Sequence, residues 1–356
     1  MEYGIALATQ ADSWKLVKRA EELGYTAAGF FDTQMLNADV FVAMAAAAMQ
    51  TKRIKLVTNV LIPSNRIAPS AACALASLNA LAPGRVEFGV STGFTGRRTM
   101  GLKRIKQADL REYIRVTQAL LRGETPEWDF EGKRRKIRFL TPEIGAINIK
   151  DEIPLFISAT GPRARGLVAE LGAGWICPLG RARSAFEALA DMKAKWQAAR
   201  RNLEDLHVHG EIGGAVLRDG EAYGSERIKD EAGPSAMLLI HDLVEEEMQD
   251  RAVPSGAFPP AFTAAFEKYK ALYARMEPAD ARYLANHVGH LMFLKPEERA
   301  LCTGDLIRDF SWTAPKAELR ERLKALKEAG FSRVSVQIRH TRPSMLEDWW
   351  DVFESV

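Results

Sequence analysis

Short apolar runs alternate with helix-period stretches along most of this chain. Residues 3–8 (YGIALA) form a first strand ending in Thr9-Gln10. Asp12 or Ser13 can then cap a helix in which Trp14, Val17, Ala20 and Leu23 recur at helical spacing before Gly24. Residues 25–31 (YTAAGFF) read as a second strand, ending in Asp32-Thr33-Gln34, and Val40–Gln50 as an alanine-rich helix. Strand three covers residues 54–61 and contains Asn59. A helix over 69–81 follows, and strand four, Val86–Val90, runs into Ser91-Thr92-Gly93. A basic loop over 96–106, a helix over Gln107–Leu121 and a hairpin-like excursion over 130–139 complete the first half.

Residues 153–157 supply strand five, which ends in Ser158-Ala159-Thr160-Gly161. Pro162 opens a helix stopped by Gly172 and Gly174, and residues 175–179 (WICPL) make strand six. The turn between this strand and its helix is stripped of bulky side chains. Either its backbone N–H groups meet an anion at the positive end of the helix, or it is a tight βα turn using Gly and Pro for their backbone preferences. A helix over 184–201 precedes strand seven, residues 207–217 (HVHGEIGGAVL). Regularity then stops across 220–303, where Pro234, Pro254, Pro259, Pro260, Pro278 and Pro296 interrupt helical pieces at 235–250, 260–275 and 280–290. Thr313-Ala314-Pro315 begins a helix carrying Leu319, Leu323 and Leu326, and residues 334–338 (VSVQI) are strand eight.

Strands apolar throughout and separated by helices predict a parallel sheet buried on both faces. The fold class is therefore α/β, a (β/α)8 TIM barrel in one domain spanning 1–356, with a largely helical insertion over 220–303 between strand seven and the last helix, covering the barrel mouth. An open doubly wound sheet would carry GxGxxG after strand one, where ATQAD stands.

Composition narrows the function. With 49 basic and 46 acidic residues in 356, the net charge of +3 is too balanced for a nucleic-acid partner. No stretch approaches the ~18 apolar residues of a membrane span. The first residues carry an acid and no basic run, so no signal peptide is expected. The three cysteines form no CxxC pair, which argues against a disulfide framework or zinc and for a reducing cytoplasm.

Chemistry in such barrels gathers at the C-terminal strand ends. Those ends hold Thr9-Gln10, Asp32-Thr33, Asn59, Ser91-Thr92-Gly93, Ser158 to Gly161 and Cys177-Pro178-Leu179, with Asp32 the one charged residue. Nothing there suits a Schiff base, a glycosidase carboxylate pair or a metal. Hydroxyls, amides and small residues suit a large hydrogen-bonding cofactor that brings its own reactivity, although Ser and Thr also cap following helices. Asp32 is open to three readings: helix cap, substrate contact or proton relay. His287 and His290, three apart in ANHVGHLM, are read as a substrate-facing proton donor or as close-packed helix residues. The basic cluster of Arg97, Arg98, Lys103, Arg104 and Lys106 is either a solvated face or the reception for an anionic cofactor tail. Met237, Phe258, Phe262, Tyr269, Tyr273 and Met292 suggest an apolar organic substrate, or simply helix core.

The segments AEELGYTAAGFFD, TKRIKLVTNVLIP, LNALAPGRVEFGVSTG, IPLFISATGPRARGLVAELGAGW and SWTAPKAELRERLKALKEAGFSRVSVQI together resemble the bacterial luciferase-like superfamily, in its methylenetetrahydromethanopterin reductase-like branch. The resemblance implies reduced FMN or a deazaflavin coenzyme. Asn59, Ser91 and Thr92 would meet the ring or ribityl chain. Ser158, Ala159, Thr160 and Gly161 would hold the phosphate, with Cys177, Pro178 and Leu179 beside it. It also implies a non-prolyl cis peptide near Asn59–Val60 and homodimer formation through the second and third helices. The luciferase histidine of strand two is replaced by Asp32, and the HVGH insertion is not general to the superfamily. The leading expectation is a monooxygenase acting on a small organic substrate with O2 and reduced FMN from a separate flavin reductase, with His287, His290 and Asp32 as catalytic candidates. A deazaflavin-dependent hydride-transfer oxidoreductase and a non-catalytic flavin-binding subunit are the alternatives.

Overall fold

The structure, a computed structural model, describes residues 1–180, 182–248 and 258–356. Eight parallel strands close into a barrel: β1 (Glu2–Leu7), β2 (Ala27–Phe30), β3 (Lys55–Thr58), β4 (Val86–Val90), β5 (Leu155–Ser158), β6 (Gly174–Pro178), β7 (Val208–Ile212) and β8 (Arg333–Ile338). Each strand pairs with its neighbours in chain order, and β8 closes on β1 through the register Glu2↔Arg333 to Leu7↔Ile338. The fold is the predicted (β/α)8 barrel.

The outer layer is α1 (Trp14–Leu23), α2 (Val40–Gln50), α3 (Ala68–Leu81), α4 (Gln107–Leu121), α5 (Pro162–Leu171), α6 (Ala182–Ala198), α7 (Lys316–Ala329) and α8 (Met345–Phe353). The apolar spacing of α1 buries Leu16, Val17 and Ala20 against the sheet, and α7 buries Leu319, Leu323 and Leu326 likewise. Small side chains let α2 pack closely, with Ala43, Ala47 and Ala48 buried. Asp39 caps it by accepting hydrogen bonds from the Phe41 and Val42 N–H groups. The excursion is an antiparallel hairpin of Glu127–Phe130 with Lys133–Lys136, outside the barrel.

The strands depart from the expectation of apolar residues throughout. Alternate side chains of a barrel strand point into the lumen, and here several of these are polar and paired with one another. At the N-terminal end Arg333 of β8 makes a two-pronged ion pair with Glu87 of β4, at 2.6 and 2.8 Å. One layer up, His209 of β7 lies 2.7 Å from the Ser335 hydroxyl. The strands opposite each other in the closed order are the ones joined at the bottom, and the same holds at the top.

Between β7 and α7 the chain runs through Glu226–Met248, Pro260–Tyr273, Tyr283–Asn286, Pro296–Arg299 and Gly304–Phe310. These helices pack on a second apolar cluster, separate from the barrel core, that includes Met237, Ile240, Phe262, Tyr269 and Phe310. The expected helix over 235–250 starts earlier, at Glu226, and runs through Pro234, which forfeits one backbone N–H donor without ending it. Positions 249, 250 and 254 lie outside the described residues. The expected helix over 280–290 is a single turn, Tyr283–Asn286, followed by tight turns in which Gly289 and Leu291 adopt φ of 70° and 60°. Among the described residues no helix is long and apolar enough to cross a membrane.

Candidate active site

The C-terminal end of the lumen is closed by one side-chain contact. Asn59, just past β3, donates from Nδ2 to Oε1 of Glu211 on β7, the strand diametrically opposite. Gly29 of β2 makes room for this reach, since a Cβ there would lie 2.9 Å from Asn59 Nδ2. The Asn59–Val60 peptide is cis, as the resemblance implied. Asn59 is nearly covered at 8 % exposed, whereas Glu211 is half-buried. Burial pushes the Glu211 carboxyl up to about 7, partly offset by the hydrogen bond from Asn59. Glu211 therefore joins Asp32 as a charged residue at a strand end. Its signal was present in HVHGEI, a carboxylate at an alternate position of a buried strand.

Beside this pair the rim of the mouth carries the small polar residues of the sequence reading. The Ser91 hydroxyl donates to the Ser158 carbonyl at 3.0 Å and ties the end of β4 to that of β5. Ser158, Thr160, Gly161 and Pro178 retain exposure, as do Ser91 and Thr92. Ala159, Cys177 and Leu179 are buried behind the rim. The Ala159 carbonyl accepts from the Trp175 indole at 2.8 Å, and the Leu179 N–H donates to the Glu211 carbonyl at 2.7 Å. Burial holds the Cys177 thiol up at about 12, so it is no nucleophile at neutral pH.

Gly161 is the N-cap of the ten-residue helix α5, with no side chain capping it and open space where a Cβ would stand. The first N–H groups of a helix have no partner within it, so this end presents donors and partial positive charge to the rim. Arg165, buried one turn in, braces the turn from behind. Its Nη1 donates to the Thr160 carbonyl at 2.7 Å and its Nε to Asp191 at 2.6 Å. The basic loop runs alongside. Ile105 N–H donates to the Thr92 carbonyl at 3.1 Å, and Gln107 Nε2 to the Arg163 carbonyl at 2.8 Å. Exposed Lys106 and Arg163 thus flank the helix end. Arg98 turns the other way, into the insertion, so the basic cluster is divided between two tasks.

Asp32 is buried and accepts from Arg66 Nη1 at 3.1 Å and from the Ile62 N–H at 3.2 Å. Burial raises its carboxyl above the usual carboxylate range, with Arg66 opposing. It braces the loop after the cis peptide, and the helix cap is Asp39 instead. His287 and His290 are both buried in the insertion. His287 Nε2 lies 3.0 Å from Glu245. His290 sits 3.4 Å from His241 and 3.3 Å from the hydroxyl of Thr95, on the short helical turn Thr95–Arg98 after β4. Burial drives the His290 basicity well below its ordinary value, helped by the neighbouring His241 and His287. A neutral His290 is a poor proton donor. Next to it, the Leu291 carbonyl accepts from Arg339 Nη1 at 2.6 Å and Gln337 Nε2 at 3.3 Å, at the end of β8. Met237, Phe262, Tyr269 and Tyr273 are core of the insertion, not pocket lining. Among the described residues no group of three or more His, Cys, Asp or Glu is arranged to hold a metal ion.

Eight parallel strands closed into a barrel, with small polar residues on the rim at their C-terminal ends, define a TIM barrel whose candidate site lies at that rim. The family described as luciferase-like monooxygenase matches residues 7–333, and the chain belongs to that family. A curated relative, the F420-dependent glucose-6-phosphate dehydrogenase of Beutenbergia cavernae, is 35% identical over 176 residues, 46% of this chain and 49% of the relative. The chain spans about half the length of the curated relatives it matches. Among solved structures, the coenzyme F420 dependent tetrahydromethanopterin reductase from Methanopyrus kandleri superposes with a TM-score of 0.68 at 17% identity, covering 98% of this chain and 97% of that one. A monooxygenase from Streptomyces bottropensis gives 0.63 at 15% identity, covering 100% and 99%. At these identities the structural likeness concerns the fold.

Proposed function

We propose that this protein is an oxidoreductase that binds a deazaflavin coenzyme and carries out two-electron transfer between it and a small organic substrate. The observation that carries this reading is the uncapped, open N-terminus of α5, with Lys106 and Arg163 beside it. A phosphate needs the helix end alone; an extended anionic tail also uses the flanking cations. The residues present suit such a group. Thr160, Gly161 and the first turn of α5 would hold the phosphate, Lys106 and Arg163 the tail, and Asn59, Ser91 and Thr92 the ring side. When bound, a deazaflavin supplies a hydride acceptor that does not react with oxygen.

Reduced FMN with O2, the leading expectation from the sequence, would use the same turn and has support in the family's description and a monooxygenase among the solved structures. The curated relatives name coenzyme F420, which favours the deazaflavin. The segment over 283–295 contacts Thr95 after β4 on one side and Arg339 after β8 on the other, opposite strands of the barrel. We read it as a roof that excludes water from the mouth.

Equilibrium titration of the purified protein with coenzyme F420 and with FMN, followed by fluorescence, tests the reading. Tighter binding of coenzyme F420 is expected. Binding of FMN alone, or of neither, overturns it.

A further inference from the structure

We propose that Glu211 is the catalytic acid–base of this site, exchanging a proton with the oxygen of a small alcohol or carbonyl substrate held between it and the roof. The inference rests on the oxidoreductase reading above. Four observations lead to Glu211. It is held by Asn59 from the opposite strand, so its carboxyl stands at the axis of the barrel mouth. The glycine at position 29 leaves space for that reach. Glu211 is half-buried, more exposed than the Asn59 that holds it. Of its competitors, Asp32 accepts from Arg66 and Ile62, His290 contacts Thr95 and His241, and His287 is buried in the insertion, 3.0 Å from Glu245.

A carboxyl that titrates close to neutral pH is matched to both directions of proton transfer. In the oxidative direction the substrate O–H bond breaks and its proton passes to the Glu211 carboxylate. The adjacent hydrogen would leave as hydride, carrying the C–H electron pair to the coenzyme, and C=O would form. The alcohol is oxidised and the coenzyme reduced, so atoms and electrons balance. Asn59 acts through Glu211 as a positioning residue, fixing which carboxyl oxygen faces the substrate.

The test has two arms. In coenzyme-free protein, infrared titration of wild type against Glu211→Gln should isolate one carboxyl that titrates near pH 7. A difference signal titrating below pH 5 overturns the assignment. In the second arm, coenzyme F420 absorbance is followed with a panel of small primary and secondary alcohols and glucose 6-phosphate. Glu211→Gln, which still accepts from Asn59, should bind the coenzyme within about 3-fold of wild type. It should turn over any active alcohol about 100-fold or more slowly and lose the pH limb near 7. Unchanged turnover with an unchanged limb sinks the role, and coenzyme binding without oxidation of any alcohol sinks the substrate class. Failure of coenzyme binding removes the deazaflavin reading and the redox step with it, whereas an infrared failure with coenzyme binding intact removes only the role of Glu211.

Discussion

Arg98 Nη1 lies 3.4 Å from Asp242 Oδ1, and that carboxyl keeps its proton at neutral pH. The same guanidinium also faces Glu245 at 3.6 Å and pairs with Glu246. Three carboxylates, Glu245 buried and Asp242 and Glu246 half-buried, thus crowd one guanidinium. Burial above all, with repulsion from Glu245 and Glu246, pushes Asp242 up to about 8 against the pull of Arg98 and Arg104.

The pH dependence follows from that sign. A carboxyl whose folded value is raised from 3.8 to about 8 stabilises the fold below its unfolded value, and that contribution is lost as pH rises through this window. Between pH 5 and pH 9, Asp242→Asn should gain on wild type by ~1–2 kcal/mol, discounted for partial solvent access. Urea unfolding at the two pH values checks this. His241 and His290, whose basicity is depressed, pull oppositely below about pH 6.5, so variant and wild type are compared at the same pH.

Arg98→Met should be far more costly. It removes the guanidinium that Glu245 and Glu246 share, and ~3 kcal/mol of stability should go. Equal stability of the variant would mean that these contacts do not hold the insertion down.

The roof has its second anchor in Arg339, buried and bonded to the Glu231 and Leu291 carbonyls and the Ser235 hydroxyl. Arg339→Met should speed hydrogen exchange across residues 283–295 while the amides of β4 and β5 stay protected. Uniform acceleration through the barrel would instead indicate a core defect.

Gly161 adopts φ −96° and ψ 159° with open space at its Cβ position, so Gly161→Ala should cost only ~0.5 kcal/mol of stability. The added methyl intrudes on the helix end, and phosphate-bearing ligands should bind about 10-fold more weakly. Lys106→Ala should weaken the coenzyme with a long anionic tail more than it weakens FMN. Fluorescence titration reads both.

Val42 and Met49 are exposed at 60% and 69% and lie two turns apart on α2, which is the stripe a partner helix would cover. Association as a homodimer through this face is expected, and a Val42→Glu, Met49→Glu double variant should be monomeric by light scattering. A wild-type monomer at micromolar concentration would count against the dimer itself.

The barrel was legible because each strand is a short apolar run followed by polar or small residues, signals that act over a few residues. Most strand edges moved by up to three positions where pairing, and not hydropathy, decides where a strand stops, and strand seven, expected over 207–217, stops at Ile212. What escaped the sequence spans the lumen. Asn59 meets Glu211 across 152 residues, and Arg333 meets Glu87 across 246. A strand buried on both sides does not show which alternate positions face the axis, so Glu87 and Glu211 passed as incidental charges. The small-residue turn before α5 was visible, but Arg165 behind it was not, since its role depends on where the Thr160 carbonyl points. In the insertion, prolines and helical spacing misplaced the elements over 280–290, because Gly289 and Leu291 turn the chain for the sake of contacts with β8.

The insertion folds around its own apolar cluster and meets the barrel mouth through polar ties at Arg98, Gln337 and Arg339. Such a seam can be redrawn by a few substitutions while both cores stay whole. On the proposed function, coenzyme retention at the rim from β3 to β6 and choice of substrate under the roof would then be separately inheritable traits of one chain.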